Sequence, residues 1–245
     1  MPKQRLDNLV VERGLVDSRE QARRLILAAQ VLVNGHPATK PGHKVDTASE
    51  LLLKSTPRFV SRGGEKMEAA FETFSVDVEG LTCIDIGSST GGFTDCLLQH
   101  GAAKVYAVDV GKGQLNWQLR NDPRVTVMEG VNARYLRKED IPDTPSFAVA
   151  DVSFISLTKV LPAVIDMLAT GAELVTLIKP QFEAGRKQVQ KGGVIKDPAV
   201  RQAVVEQIKE FGTKELRLEW LGVCESPIKG PAGNIEFLAW WRKQE

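Results

Sequence analysis

Several things are scarce in this 245-residue chain, and each scarcity narrows the reading. No apolar run reaches the roughly 18 residues of a membrane-crossing helix, so no transmembrane helix is expected. The first residues, Met1 to Asp7, lack the apolar centre of a signal peptide, which argues for a cytoplasmic protein. There are only three cysteines, Cys83, Cys96 and Cys224. None forms a Cys-x-x-Cys and an odd number cannot pair completely, so reduced thiols are expected. The three histidines, His36, His43 and His100, make no metal-ligand spacing with them, and no metal is expected. Internal repeats and low-complexity tracts are also missing. The chain is expected to need neither membrane nor metal, and a monomer is expected.

Charge is balanced in total and uneven in place. The chain has 32 basic and 31 acidic residues, but residues 1–62 carry 11 Lys/Arg against 6 Asp/Glu, a surplus of +5, and the remainder is −4. A basic first part beside an acidic body suits either a module that meets a polyanion or a merely solvated basic face. With 42% apolar residues the chain can bury a sizeable core, in one large or two modest domains.

The chain is organised around Thr82 to Phe93. Cys83 to Ile86 reads as a buried parallel strand, Gly87-Ser88-Ser89-Thr90-Gly91-Gly92 as a glycine-rich turn, and Phe93 to Gln99 as a helix. Strand, glycine turn and helix open a nucleotide-binding α/β sheet, where glycine lets a ligand lie directly on the backbone. A second strand, Lys104–Val108, ends at Asp109, where such folds hold a ribose diol. The pattern Asp85-x-Gly87 followed by Gly91-Gly92-Phe93 resembles the S-adenosylmethionine loop of class I methyltransferases. The ordinary alternative is a strand-to-helix turn that simply requires glycine.

Further strands are predicted at 125–128, 147–150, 173–178, 215–224 and 234–241, with helices at 157–168 and 198–211, the last capped by Asp197 with Pro198 in the first turn. Seven strands with interleaved helices make a doubly wound α/β sheet. Such sheets gather ligands at the carboxyl ends of their strands, which is where Asp85–Gly92, Asp109, Asp151 and Lys179 fall. An antiparallel last strand brings Glu236 to the same edge, and the helix opening at Arg62 brings Lys66. Trp117, Trp220, Trp240 and Trp241 are read as packing residues.

Residues 5–53 read as a small module: a helix from Arg5 that stops at Gly14, a second helix capped by Asp17 or Ser18, a strand at Val31–Val33, an Asn34-Gly35 hairpin turn, and extended structure from Val45 to Leu53. Arg5-Leu6-Asp7, Ser18-Arg19-x-x-Ala22 and Val31-Leu32-Val33-Asn34-Gly35 resemble the S4-like RNA-binding domain. That resemblance implies that Arg5, Arg19, Arg23 and Arg24, with Arg62 beyond the module, meet RNA phosphates.

The set Lys66, Asp151, Lys179 and Glu236, in this order, resembles the FtsJ-type RNA 2′-O-methyltransferases. Ser61-Arg62-Gly63-Gly64-x-Lys66, Asp109-Val110-Gly111-x-Gly113-Gln114-Leu115, Asn132-Ala133-Arg134, Asp151–Ser156 and Ile178–Glu183 extend the likeness to the TlyA, or haemolysin A, family. The fold this implies is a Rossmann-like class I methyltransferase domain at 63–245, following an S4-like domain at 1–54 and a linker at 55–62. The implied activity is methyl transfer to the ribose 2′-hydroxyl of a nucleotide, a cytidine in the resembled family, in ribosomal RNA or ribosomal subunits. The implied cofactor is S-adenosylmethionine, held by Asp85, Gly87, Ser88, Thr90, Gly91, Gly92, Phe93, Asp109, Val110 and Asp151. Lys179 is the candidate base. Lys66 is a neighbouring charge, and Asp151 and Glu236 hold the two ammonium groups. Singly, each of these four could be a solvated ion pair. A membrane-active haemolysin, as the family name suggests, and a noncatalytic RNA-binding assembly factor are the rival functions.

Overall fold

The computed structural model describes residues 2–54, 57–185, 188–189 and 192–244. Ser55 and Thr56 of the expected linker lie outside the described residues, as do Arg186, Lys187, Gln190 and Lys191 of the charged loop after the fifth strand. The chain divides into two units, residues 1–58 and 59–245.

In the first unit, β1 (Lys3–Arg5) leads into α1 (Leu6–Glu12), and α2 (Arg19–Leu27) follows. Then come β2 (Val31–Val33), β3 (His36–Ala38), β4 (Lys44–Asp46) and β5 (Leu51–Leu53). Leu6, Leu9 and Val10 of α1 meet Ala22 and Ile26 of α2 in a small core closed by Val31, Val45 and Leu51. Gly14, at φ +67°, ends α1, and Ser18 caps α2 by accepting from the Gln21 amide at 3.2 Å. Asn34 and Gly35 both take positive φ, as the two-residue hairpin between β2 and β3 requires. The continuous extended segment expected over 45–53 is instead two strands in two different sheets. Asp46 breaks it: its side chain accepts from the Ala48 amide at 2.8 Å and its carbonyl from the Ser49 amide, which turns the chain.

The second unit contains α3 (Arg62–Phe74), β6 (Thr82–Ile86), α4 (Gly92–Gln99), β7 (Lys104–Asp109), α5 (Trp117–Arg120) and β8 (Val125–Glu129). It continues with β9 (Phe147–Ala150), α6 (Leu157–Met167), β10 (Glu173–Ile178), α7 (Pro180–Glu183), α8 (Pro198–Lys214), β11 (Leu218–Glu225) and β12 (Phe237–Lys243). One seven-stranded sheet runs in the order β11-β12-β10-β9-β6-β7-β8, with β12 antiparallel to both neighbours. Side chains alternate across the sheet. Cys83 and Val105 face α3 and α4, while Ile84, Tyr106 and Trp241 face α6 and α8. The strand order reverses between β6 and β9, the position where open α/β sheets form a crevice.

Helix α8 runs past the expected end at Phe211 to Lys214. Gly212 is not a stop signal. A Cβ there would lie 2.4 Å from the Trp241 ring, so the glycine makes room for that indole. Trp241 is fully buried, donates to Thr176 Oγ1 at 3.0 Å and meets Trp220 edge-on. Trp117 departs from the packing expectation: it is 71% exposed. Phe59, in a stretch read as linker, is buried over Gly64, where a Cβ would sit 2.2 Å from its ring.

The strongest polar feature of the first unit gives two of its arginines a structural part. Asp7 is fully buried and accepts from Arg5 Nε at 3.0 Å, Arg5 Nη2 at 2.9 Å and Arg19 Nε at 3.0 Å. Arg5 and Arg19 therefore help hold β1, α1 and α2 together while staying exposed themselves, and Arg23 and Arg24 are two further exposed arginines of α2. The Arg5 guanidinium, opposed by burial and joined by Arg19, holds the Asp7 carboxyl at about 2, below its ordinary 3.8. A lowered carboxyl pKa stabilises the fold above the ordinary value, and that contribution is lost as pH falls through about 2. Asp7→Ala should therefore destabilise this unit by about 1–3 kcal/mol at neutral pH, with the difference from the parent shrinking in acid. Urea unfolding of both proteins across pH checks this, and a constant difference down to the acid transition contradicts it.

Candidate active site

The charged residues predicted for catalysis meet at one edge of the sheet because of its topology. Ile178, the last residue of β10, pairs with Phe237, the first of antiparallel β12. Lys179 therefore leaves the sheet where Glu236 enters it. Asp151 follows β9 directly, its amide donating to the Ile86 carbonyl at 2.9 Å. Lys66 arrives on the first turns of α3. That helix sits close to α4 because a Cβ on Gly92 would lie 2.3 Å from Ser61 Oγ and 2.8 Å from the Gly64 amide nitrogen.

The four residues form two ion pairs. Lys66 Nζ donates to Glu236 Oε2 at 2.6 Å, and Gln181 Nε2 donates to Glu236 Oε1 at 3.4 Å. Lys179 pairs with Asp151 and donates to Ser153 Oγ at 2.8 Å. Lys66, Lys179 and Glu236 are buried, with Asp151 partly exposed. Glu236 is closely confined, since a Cβ on Gly230 would sit 2.5 Å from its Oε1. Asn234, just before it, accepts from the Ile195 amide at 2.9 Å and donates to the Gly193 carbonyl at 2.8 Å, so the approach to Glu236 is tied to the loop before α8.

Beside this edge lies a cavity of about 510 Å³ at the β6/β9 crossover. Of the residues expected to hold a cofactor, Gly87, Asp109, Val110 and Asp151 line it. Asp85, Ser88, Thr90, Gly91, Gly92 and Phe93 are absent from its lining. The last glycines serve the protein itself: a Cβ on Gly91 would lie 2.3 Å from Leu119, and Gly92 faces Ser61 and Gly64. Gly87, at φ +84°, passes under the Asp151 carbonyl, where a Cβ would come within 2.5 Å. Sequence reading assigned no individual site role to Ser89, Gln114, Asn132, Arg134 or Phe154 of the lining, although Ser89 stood in the glycine turn and the other four in the resembled motifs. Asp109 is fixed by the Ser89 amide at 2.8 Å on one oxygen and the Gly111 amide at 2.7 Å on the other. Each oxygen keeps a lone pair for a further donor. Phe154 is the outlier of the lining. It holds φ +64°, is 91% exposed, and lies 5.1 Å from the Phe182 ring.

Asp85 sits behind the glycine turn, fully buried, accepting from the Thr94 amide at 3.0 Å and its hydroxyl at 2.7 Å on one oxygen. Its other oxygen is buried with no hydrogen-bond partner among the described residues. Burial, reinforced by the Asp151 and Asp109 carboxylates against the pull of Thr94, pushes the carboxyl up to about 7 from 3.8.

A doubly wound sheet, a glycine turn under a crevice lined by acids, and two lysine–carboxylate pairs at its rim define the class: an S-adenosylmethionine-dependent methyltransferase fold. The comparisons place it further. The family model described as FtsJ-like methyltransferase matches residues 59–243, and the S4 domain model matches residues 4–51. The chain is 48% identical over 242 residues to the 16S/23S rRNA (cytidine-2′-O)-methyltransferase TlyA of Mycobacterium tuberculosis, covering 98% of this chain and 90% of that protein. It is 48% identical over 240 residues to Hemolysin A of Brachyspira hyodysenteriae, covering 96% and 98%. A solved structure from Streptococcus thermophilus described as a hemolysin has a TM-score of 0.79 at 47% identity, over 100% of this chain and 90% of that one. The chain belongs to the TlyA, or haemolysin A, family.

A raised carboxyl pKa favours the fold below the ordinary value and loses that contribution as pH rises through about 7. Asp85→Asn keeps an acceptor for Thr94 and carries no proton to lose. Its stability relative to the parent should rise by more than about 1 kcal/mol between roughly pH 4 and 8. Parallel urea-unfolding curves at several pH values test this, and a pH-independent difference refutes it.

Proposed function

We propose that this protein transfers a methyl group from S-adenosylmethionine to the 2′-hydroxyl of a ribose in ribosomal RNA, with cytidine as the target nucleoside. The observation that carries the reading is the meeting of two buried lysine–carboxylate pairs at the rim of an acid-lined cavity. Among the described residues no helix is long and apolar enough to cross a membrane.

The residues present fit the cofactor. The cavity falls within the roughly 300–1,000 Å³ of a small-molecule site, and its acids suit a ligand bearing a sulfonium and an ammonium. Asp109 would take the ribose diol of the cofactor, and Gly87 with Ser89 would face its amino-acid end. Bound there, the cofactor supplies a methyl group on a positively charged sulfur, open to in-line displacement.

The protein's own part is to make a poor nucleophile attack. Once its ammonium has given a proton to solvent, Lys179 accepts the 2′-hydroxyl proton on the neutral amine. Asp151 and Ser153 fix its nitrogen at the cavity rim. Lys66, anchored by Glu236, presents positive charge to the developing alkoxide. Phe154 offers a flat apolar surface beside Ser153 on which an unstacked base can lie. The first unit supplies phosphate contacts from Arg23 and Arg24 on the surface they share with Arg19, Glu20 and Leu27, and Arg62 of the second unit adds a further cation.

Lys179→Ala should lower turnover about 10²–10⁴-fold while cofactor and RNA affinities stay near those of the parent. Lys179→Arg should fail as well, since a guanidinium does not act as a base. Single-turnover methylation of ribosomal RNA with binding measured by calorimetry decides this, and an active arginine variant assigns the proton elsewhere.

The arginines of the first unit should separate in a salt titration. Replacing Arg23 and Arg24 by alanine should weaken RNA binding and reduce the slope of log affinity against log salt by about 1–2, leaving folding intact. Arg5→Ala should instead show mainly as lost stability of the first unit. Equal binding losses for the two classes, with equal melting temperatures, reject the division.

A further inference from the structure

We propose that Glu68, Cys96 and His100 form a binding site for one divalent cation of the zinc class, bridging α3 and α4. Each of the three side chains offers one donor atom, and all three atoms lie within 4.8 Å of one another. Glu68 Oε2 lies 2.7 Å from His100 Nε2 and 3.6 Å from Cys96 Sγ. Zinc bound at about 2.3 Å to sulfur and about 2.0 Å to nitrogen or oxygen needs its donors roughly 3–4 Å apart. The sulfur–carboxylate span already meets that, and the carboxylate–imidazole span needs to open by less than about an ångström.

Local structure prepares the site. Cys96 and His100 are one helical turn apart at the end of α4, which puts both on the same stripe. Glu68 faces them from α3. The His100 ring lies flat on Phe71, with centroids 3.7 Å apart and planes 4° from parallel, which limits the directions its nitrogens can take. Cys96 is fully buried, while Glu68 and His100 are partly exposed. An ion can therefore enter from solvent and complete its coordination with water.

The donor set selects the ion. A thiolate with an imidazole favours zinc or cobalt(II) over magnesium or calcium, which prefer oxygen alone. On binding, the sulfur–metal bond forms as the Cys96 thiol proton leaves to solvent. His100 coordinates through Nε2 as the neutral ring with its hydrogen on Nδ1, and no electron moves. Because α3 carries Lys66 and α4 begins at Gly92, the ion would fasten the helix bearing one catalytic-rim lysine to the helix that leaves the glycine turn. The sequence alone conceals this, since Glu68 lies 28 residues before Cys96 and the pair Cys96-x-x-x-His100 is by itself unremarkable.

The test uses the full chain stripped by a chelator and titrated with cobalt(II), then with zinc. One equivalent of cobalt should produce a thiolate-to-metal charge-transfer band that zinc removes and magnesium does not. Cys96→Ser should abolish the band, Cys224→Ser should keep it, and His100→Gln should weaken zinc binding at least about tenfold. Zinc should also raise the melting temperature of the parent and not of His100→Gln. Absence of the band, or a band that survives Cys96→Ser, overturns the site and leaves a plain histidine–carboxylate pair. If Cys96→Ser does not fold, the partly exposed His100→Gln decides by the same absorbance and melting readouts. None of these readouts involves methyl transfer, so their failure leaves the proposed function standing.

Discussion

Burying charge at the rim of an apolar sheet is the constraint on which this molecule depends. Removing an ammonium or a carboxylate from water costs several kcal/mol, and attraction between partners offsets this only in good geometry. Lys66 and Glu236 meet at 2.6 Å with both side chains nearly out of solvent, and Lys179 lies between Asp151 and Ser153. Two apolar side chains in place of either pair would stabilise the fold at least as well. Their presence is therefore weak evidence of a stabilising role. The antiparallel run of β12 makes the pairing possible. Were that strand parallel to β10, its first residue would emerge at the opposite edge, leaving Lys66 without Glu236.

Glycine does the corresponding work for the backbone, though in a different way from the one the motif suggests. A glycine turn at a nucleotide site is usually read as clearance for the ligand. Here Gly92 clears Ser61 and Gly64, Gly91 clears Leu119, and Gly87 clears the Asp151 carbonyl. The close approach is of protein to protein, and it sets where α3, α4 and the segment after Ala150 lie. The crevice is a consequence of those three contacts.

The elements and the meeting of the charged residues at one edge were legible because they rest on local patterns. Buried strands such as Phe147–Ala150 are continuous apolar runs, and their ends place Asp151 and Lys179 without knowledge of distant contacts. What escaped depends on partners far along the chain. Gly212 looks like a helix stop until Trp241 is found against it. Asp46 divides a stretch read as extended, because its side chain and carbonyl take the Ala48 and Ser49 amides. The exposure of Trp117 and the positive φ of Phe154 are set by their surroundings, since neither residue type asks for them. Ser153 and Gln181 stood inside resembled motifs, yet only their hydrogen bonds to Lys179 and Glu236 give them a part.

The arginines of the first unit show the same limit from the side of charge. Counting basic residues gives this part of the chain its surplus and suggests one continuous phosphate-binding face. Asp7 divides that face. With its carboxylate fully buried, the fold needs the Arg5 and Arg19 guanidinium groups as donors before any RNA is present. An arginine so held costs little further side-chain entropy on meeting a phosphate, but its charge is already partly answered. Arg23 and Arg24 keep their full charge and lose more freedom on contact. Affinity that falls with salt should thus come chiefly from the second pair, while the first pair sets the direction in which α2 presents them.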